Sequence, residues 1–381
     1  MVLIVSALAL AAWAYLFALH GSFWRSRPVL ERGVPAGSAS VAVVVPARNE
    51  AAQIGECIAS LLAQSYLGPL NIVLVDDNST DGTAEIAGAI EAAGRLAIVN
   101  GAALPAGWSG KLWAVHQGLA NEWAQSAEYI LLTDADVVHE PDHVSTLIAK
   151  AERDGLDLVS EMVRLNCATL AERALIPAFV FFFQMLYPFA WVNDARKRTA
   201  GAAGGTMLLR RASLDRVDGV SRIRQRLIDD CALAQEIKQS GGKIWLGHAE
   251  MARSRRVYAT AREVWNMIAR TAYEQLGRSP LMLTGCVAGM SLLYFAPVVT
   301  TVAAHGVSRC CGAAAWLLMT ICFQPTLRRY ERSVFWGMAL PGIATFYMCA
   351  TIASAVRFHR GRGGMWKDRV YAETRGIGDS N

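Results

Sequence analysis

The stretch "YILLTDADVVHEPDH", residues 129–143, ends an apolar run, Ile130-Leu131-Leu132, in two carboxylates one residue apart, Asp134 and Asp136. A short apolar run bounded by polar residues reads as a buried strand of a parallel sheet. Ionised carboxylates are costly at the tip of a core strand unless something positive meets them. The stretch therefore predicts a strand whose end faces a cation.

The same plan recurs upstream. "VAVVVPARNEAAQIGECIASLLAQ" (41–64) opens with a strand, Val41 to Val45, that Pro46 stops. Asn49 is placed to cap a helix whose apolar face is Ile54, Cys57, Ile58, Leu61 and Leu62. "LNIVLVDDNSTDGTAEIAGAI" (70–90) repeats strand, acidic turn and helix; "LAIVN" (96–100) is a third strand, and "WAVHQGLANEWA" (113–124) is helical. Such alternation predicts an α/β fold with a mostly parallel sheet and right-handed crossovers. Ligands of these sheets bind outside the carboxyl ends of the strands. Arg48 and Glu50, then Asp76 and Asp77, then Asp134 and Asp136 follow three separate strands onto that edge. Turn chemistry explains any one of these sets, but poorly all three together.

Neither GxGxxG nor GxxxxGK[ST] occurs at this edge. A diphosphate is then best held by Mg²⁺ or Mn²⁺ bridging its oxygens to protein carboxylates.

Hydrophobic residues make up 53% of the 381 and concentrate toward the two ends. Val2 to Leu19, apolar apart from Ser6, is long enough to cross a bilayer of roughly 30 Å. It lacks a basic leader and a cleavage signature, which predicts an uncleaved anchor, with Arg25, Arg27 and Arg32 on the cytoplasmic side. Apolar segments return at 281–304, 307–323 and 334–356, the second weakened by Arg309. Three spans after a cytoplasmic domain would put the very basic tail outside. The expectation is a cytoplasmic tail, either with a re-entrant segment broken at Pro341-Gly342 or with one segment that does not span. The eight cysteines show no CxxC spacing, which argues against a zinc site and a disulfide framework. The net charge of +5 lies in clusters at 196–198, 222–226 and 253–256 and in the tail. These read as solvated or positive-inside charge, or as attraction to anionic lipid headgroups. They lack the interleaved aromatics of a nucleic-acid surface.

"VVVPARNE" (43–50), "VDDNSTDGT" (75–83), "LLTDADV" (131–137), "GAAGGTMLLRR" (201–211) and "LIDDCALAQEIKQSGGKIWLG" (227–247) stand in order. With them the chain resembles the family 2 glycosyltransferases of the GT-A fold over roughly residues 40 to 275. "WSGKLWAVHQGL" (108–119), the membrane segments and the tail "GGMWKDRVY" (363–371) are most similar to the hopene-associated glycosyltransferases of hopanoid gene clusters, and also to bacterial carotenoid and lipid glucosyltransferases.

The resemblance implies a Rossmann-like GT-A domain that moves a sugar, with inversion, from a nucleotide-diphosphate donor to an acceptor hydroxyl. It implies that Pro46, Ala47, Arg48 and Glu50 frame the nucleoside and that Asp77 takes the base, typically uracil. Asp134 lies near ribose and metal, Asp136 coordinates the metal, and Asp230 is the general base, with Asp229 before it. Lys111, in a glycine-flanked turn, and Arg270 are the cations expected at the leaving diphosphate, although a solvated Lys111 is nearly as good a reading. Trp108 and Trp113 suit stacking on a base or sugar, or plain core packing. His116 and His139 read as helix-face and loop histidines.

The expected layout is an anchor at 1–24, the GT-A domain at 25–275, membrane segments at 276–360 and a basic cytoplasmic tail at 361–381. The apolar stretch 172–194, with Pro177 and Pro188, fits a helix in the membrane interface or a buried core helix. A catalytic domain docked on the inner membrane from the cytoplasm suits a lipid acceptor. Polymer-threading synthases of this fold carry Q/R-x-x-R-W after the acidic helix, whereas here "WNMIARTAYEQL" (265–276) follows Arg270 with Thr271. Single addition is therefore preferred to a processive synthase, and retention of Asp77, Asp134, Asp136 and Asp230 disfavours a non-catalytic scaffold.

Overall fold

The structure is a computed structural model that describes residues 1–361, 365–366 and 369–370. The rest of the basic tail lies outside the described residues. The chain divides into two compact units.

One unit is built chiefly from Pro28–Leu165 and Val192–Arg256. It holds an eight-stranded sheet whose strands are β1 (Val41–Ala47), β2 (Leu70–Asp76), β3 (Leu96–Asn100), β4 (Tyr129–Thr133), β5 (Val137–His139), β6 (Leu158–Arg164), β7 (Thr206–Arg210) and β8 (Ile244–Ser254). Their order is β3-β2-β1-β4-β7-β6-β8-β5. The first four run parallel, β7 enters antiparallel to β4, and β5 closes the far edge antiparallel to β8. This is the mostly parallel α/β sheet that the alternation predicts, and it fits the GT-A fold that the resemblance implies.

Every residue of β1 and β4 is buried, as expected of strands covered on both faces. Val41, Val43 and Val45 share a core with Ile54, Ile58 and Leu61 of the following helix. Each such buried aliphatic side chain contributes about 1.5–3 kcal/mol. That packing fixes the strand tips, and the tips carry the polar groups.

Three local expectations change. Pro46 does not stop β1: it stays in register opposite Val75, and the strand ends at Ala47. Asn49 is not a helix cap, because the helix starts at Ile54 after Gln53. Asn49 instead takes a left-handed turn (φ 51°), and its side-chain oxygen accepts from the Thr80 amide at 2.9 Å. Asn tolerates that conformation because its side chain compensates locally. The turn ties the loop after β1 to the loop after β2. His139 is not a loop residue but the last residue of β5, and it is buried.

The other unit comprises Met1–Arg27, Asn166–Trp191 and Val257–Gly363. Three helices, Leu170–Val192, Pro280–Ala303 and Gly306–Arg329, are long and apolar enough to cross a membrane. Val2–Ala18 is a shorter apolar helix. The stretch Leu170–Leu186 opens with a capping box between Thr169 and Glu172 and buries Leu175, Ile176 and Phe181. Phe181 meets Phe323 edge-on at 5.1 Å within this unit. Pro341 does not break a segment: it sits in the first turn of the helix Leu340–His359, where its missing N–H is harmless.

Candidate active site

The parallel strands deliver their loops to one edge. After β1, Arg48 Nη1 donates to the backbone carbonyls of Asp77 and Asn78 and lies 3.8 Å from the Asp77 carboxylate. The Asp77 amide returns a bond to the Ala47 carbonyl at 2.8 Å. Arg48 and Asp77 are thus brought together, with Asp77 fully buried. Pro46 and Ala47 are buried strand residues, so Ala47 acts through its backbone. Behind Asp77, Asp76 keeps one buried carboxylate oxygen without a hydrogen-bond partner among the described residues.

Lys111 sits at the start of the helix Gly110–Leu119, which Ser109 caps by accepting from the Leu112 amide. Its Nζ lies 3.0 Å from Asp134 Oδ1 at the tip of β4 and 3.3 Å from Asp229 Oδ2. Asp229 and Asp230 form the first turn of the helix Asp229–Gln239, which buries Leu233, Ala234 and Ile237 as its apolar spacing predicts. Both oxygens of Asp230 accept backbone N–H bonds, from Gly204 at 2.8 Å and from Cys231 at 2.7 Å. Gly204 leaves room for this approach: a Cβ there would stand 3.3 Å from Lys111 Nζ and 3.4 Å from Asp230 Oδ2, a tight fit. Lys111, Asp134, Asp229 and Gly204 line one cleft together with the apolar floor of Leu132 and Met207.

The electrostatics separate these groups. Burial raises the Asp230 carboxyl, and the Asp229 charge raises it further, to about 6, against the opposing pull of Lys111 and the two N–H donors. Burial alone would lower the Lys111 ammonium, but Asp134, Asp229 and Asp230 outweigh it and hold the group charged, above its ordinary range.

Asp136, two residues beyond Asp134, has a different set of partners. Its Oδ2 accepts from Ser254 Oγ at 2.8 Å and from Arg256 Nε at 3.1 Å. Arg256 Nη2 reaches Glu50 Oε1 at 2.6 Å. Local sequence pattern does not single out Arg256 and Ser254. The "RSRR" cluster carried the signal but read as surface charge, and the β5–β8 pairing that sets Val137 opposite Ser254 leaves no local mark. Arg270 belongs to the other unit, exposed on the helix Ala261–Gln275.

A buried polar row runs behind β4. Thr133 Oγ1 donates to the Gly205 carbonyl at 2.8 Å and lies 3.1 Å from His139 Nε2. His139 Nδ1 meets His143 Nδ1 at 2.8 Å, and His143 Nε2 meets Glu161 Oε2 at 2.6 Å. Burial holds both imidazoles below the usual histidine range, His143 to about 3. The row is structural in position, yet it ties the residue before Asp134 to the residue after Gly204. Trp108, Trp113 and His116 pack on one another at 4.8–5.4 Å, all half-buried.

Comparison with known proteins gives the following likenesses. Relatives named 4,4'-diaponeurosporenoate glycosyltransferase, from Staphylococcus aureus strains, are 32% (bovine RF122 / ET3-1) and 30% (USA300) identical over 117 residues. Those matches cover 30% of this chain and 29% of the relatives' length. The mannosyltransferase PcManGT from Pyrobaculum calidifontis, solved with GDP-Man and Mn²⁺, superposes with a TM-score of 0.59 at 19% identity. That likeness in fold covers 94% of this chain and 98% of PcManGT. The family model described as glycosyl transferase family 2 matches residues 42–218, the span that carries β1 to β7 and the carboxylates at their tips. That match spans 177 of the 381 residues, just under half of the chain.

Proposed function

We propose that the protein is a membrane-bound, inverting glycosyltransferase that moves a sugar from a nucleotide-diphosphate donor, a UDP-sugar by preference, to a lipid hydroxyl. The observation that carries this reading is the convergence of Asp134 and Asp229 on Lys111, beside the raised Asp230 held by Gly204.

In this reading Arg48, Glu50 and Asp77 hold the nucleoside end of the donor. Asp230, deprotonated above about pH 6, takes the acceptor's proton as the new glycosidic bond forms. Lys111 offsets charge on the departing diphosphate in a partly water-excluded cleft. Asp229 acts on Asp230 through its charge, keeping the base's affinity for a proton close to working pH.

Asp134 and Asp136 suit Mg²⁺ or Mn²⁺ by donor chemistry, since both offer hard carboxylate oxygens. The charge balance also fits: Glu50, Asp134, Asp136, Asp229 and Asp230 face Lys111 and Arg256. Among the described residues, no group of three His, Cys, Asp or Glu side chains could hold a metal by itself. Two carboxylates with the donor's phosphates completing the coordination is the arrangement Mg²⁺ commonly takes. Such a metal supplies charge neutralisation at the leaving group.

The three apolar helices support membrane attachment, and the relatives named 4,4'-diaponeurosporenoate glycosyltransferase support a lipid acceptor. A hopanoid or another isoprenoid lipid at an inner-membrane, cytoplasm-facing site is the finer form of the proposal, with basic clusters against anionic headgroups. Purified protein incubated with native lipid extract and a panel of radiolabelled nucleotide sugars tests it. A labelled lipid is the expected product; a labelled soluble polymer would replace this reading with a processive synthase.

A further inference from the structure

The two carboxylates bridged by Arg256 come from separate strand tips, and each side chain is only 9% exposed. Asp136 follows β4 and Glu50 follows β1, so the guanidinium fastens one tip to the other. A forked, permanently charged group suits this bridging in a way a single ammonium does not. Ser254 donates to the same Asp136 oxygen, and the Arg255 amide donates to the Asp136 backbone carbonyl at 2.7 Å. Asp136 therefore keeps two hydrogen bonds even when Arg256 is turned away.

We propose that Arg256 is the resident cation of Asp136 and Glu50 in the donor-free protein, yielding Asp136 only to a divalent metal already complexed with a nucleoside diphosphate. This rests on the reading of Asp136 as a ligand of the donor's metal. The discrimination is electrostatic. A bare dication at Asp136 shares its carboxylate with a guanidinium whose Nε lies 3.1 Å from that oxygen, and like charges repel strongly where water is scarce. A metal–nucleotide complex is no longer cationic, being net negative with UDP or GDP and about neutral with a nucleotide sugar, and it offers phosphate oxygens that a guanidinium binds two at a time. Arg256 thus opposes the metal alone and favours the metal with its nucleotide. The consequence is coupled entry: the donor brings its own metal, and an incomplete site is not filled by free cations.

The test is Mn²⁺ binding to the full-length protein in detergent, read from the paramagnetic resonance of free Mn²⁺, with and without UDP or GDP. R256Q is expected to bind bare Mn²⁺ about tenfold more tightly than the unaltered chain, so that nucleotide adds less. R256M serves equally if R256Q does not fold, and R256K, which keeps the charge, is expected to retain weak binding of bare Mn²⁺. Bare-Mn²⁺ affinity equal to or below the unaltered chain in R256Q, with D136N still losing Mn²⁺–nucleotide binding, would overturn the exchange and leave the metal reading standing. Unaltered Mn²⁺–nucleotide binding in D136N would remove the metal reading and the proposal together.

Discussion

Two carboxylate clusters gather near the tip of β4, and each is paired with a protein cation. On one side Lys111 is shared by Asp134 and Asp229, with Asp230 adding its charge. On the other, Arg256 is divided between Asp136 and Glu50 through separate nitrogens. The lysine is a point charge in a field of acids and leaves one of them, Asp230, raised toward neutrality. The arginine makes two directed contacts with nearly buried partners. The difference teaches a division of labour. The Lys111 side holds a group able to accept a proton near neutral pH, and the Arg256 side holds carboxylates pre-aimed by directed contacts.

The comparison breaks most severely at Lys111. Lys111→Ala removes the cation from the first cluster, and kcat/KM is expected to fall about a hundredfold. A loss of only a few-fold in steady-state kinetics would mean that Lys111 is a solvated residue and that the clusters do not differ as described. Asp229→Asn has a smaller effect and sharpens the contrast. Asp230 is raised by burial and then by Asp229, and a base works when deprotonated. The rate should therefore rise with pH through about 6 in the unaltered protein. Removing the Asp229 charge lowers the Asp230 value, so the acid limb of the kcat/KM profile moves to lower pH. A limb that stays put or moves upward would show that Asp229 does not set it.

The same contrast explains what was legible in the sequence. Every carboxylate around Lys111 lies in a short motif at the end of a strand or the start of a helix. Local rules find such positions: an apolar run that stops at Asp134, and an amphipathic helix that opens at Asp229-Asp230. Arg256 is different. It meets Asp136 because β8 pairs antiparallel with β5 across more than a hundred residues, and register at that range is set by packing rather than by local pattern. His139 reads as loop for a related reason. A histidine two residues before Pro141 looks like loop, and its burial depends on His143 and Glu161 lying in line behind it. Asn49 reads as a helix cap because a left-handed turn and a cap use the same residue type. The α/β alternation of β1 to β4, by contrast, is readable, since each of those strands carries its own apolar pattern.

The most direct measurement is nucleotide binding and turnover made side by side on Asp230→Asn. The amide keeps the shape of the side chain and cannot accept the acceptor's proton. The proposed division predicts UDP or GDP affinity within about twofold of the unaltered protein, with sugar transfer to lipid down by at least about a hundredfold. Undiminished transfer, or nucleotide binding lost along with transfer, would contradict it.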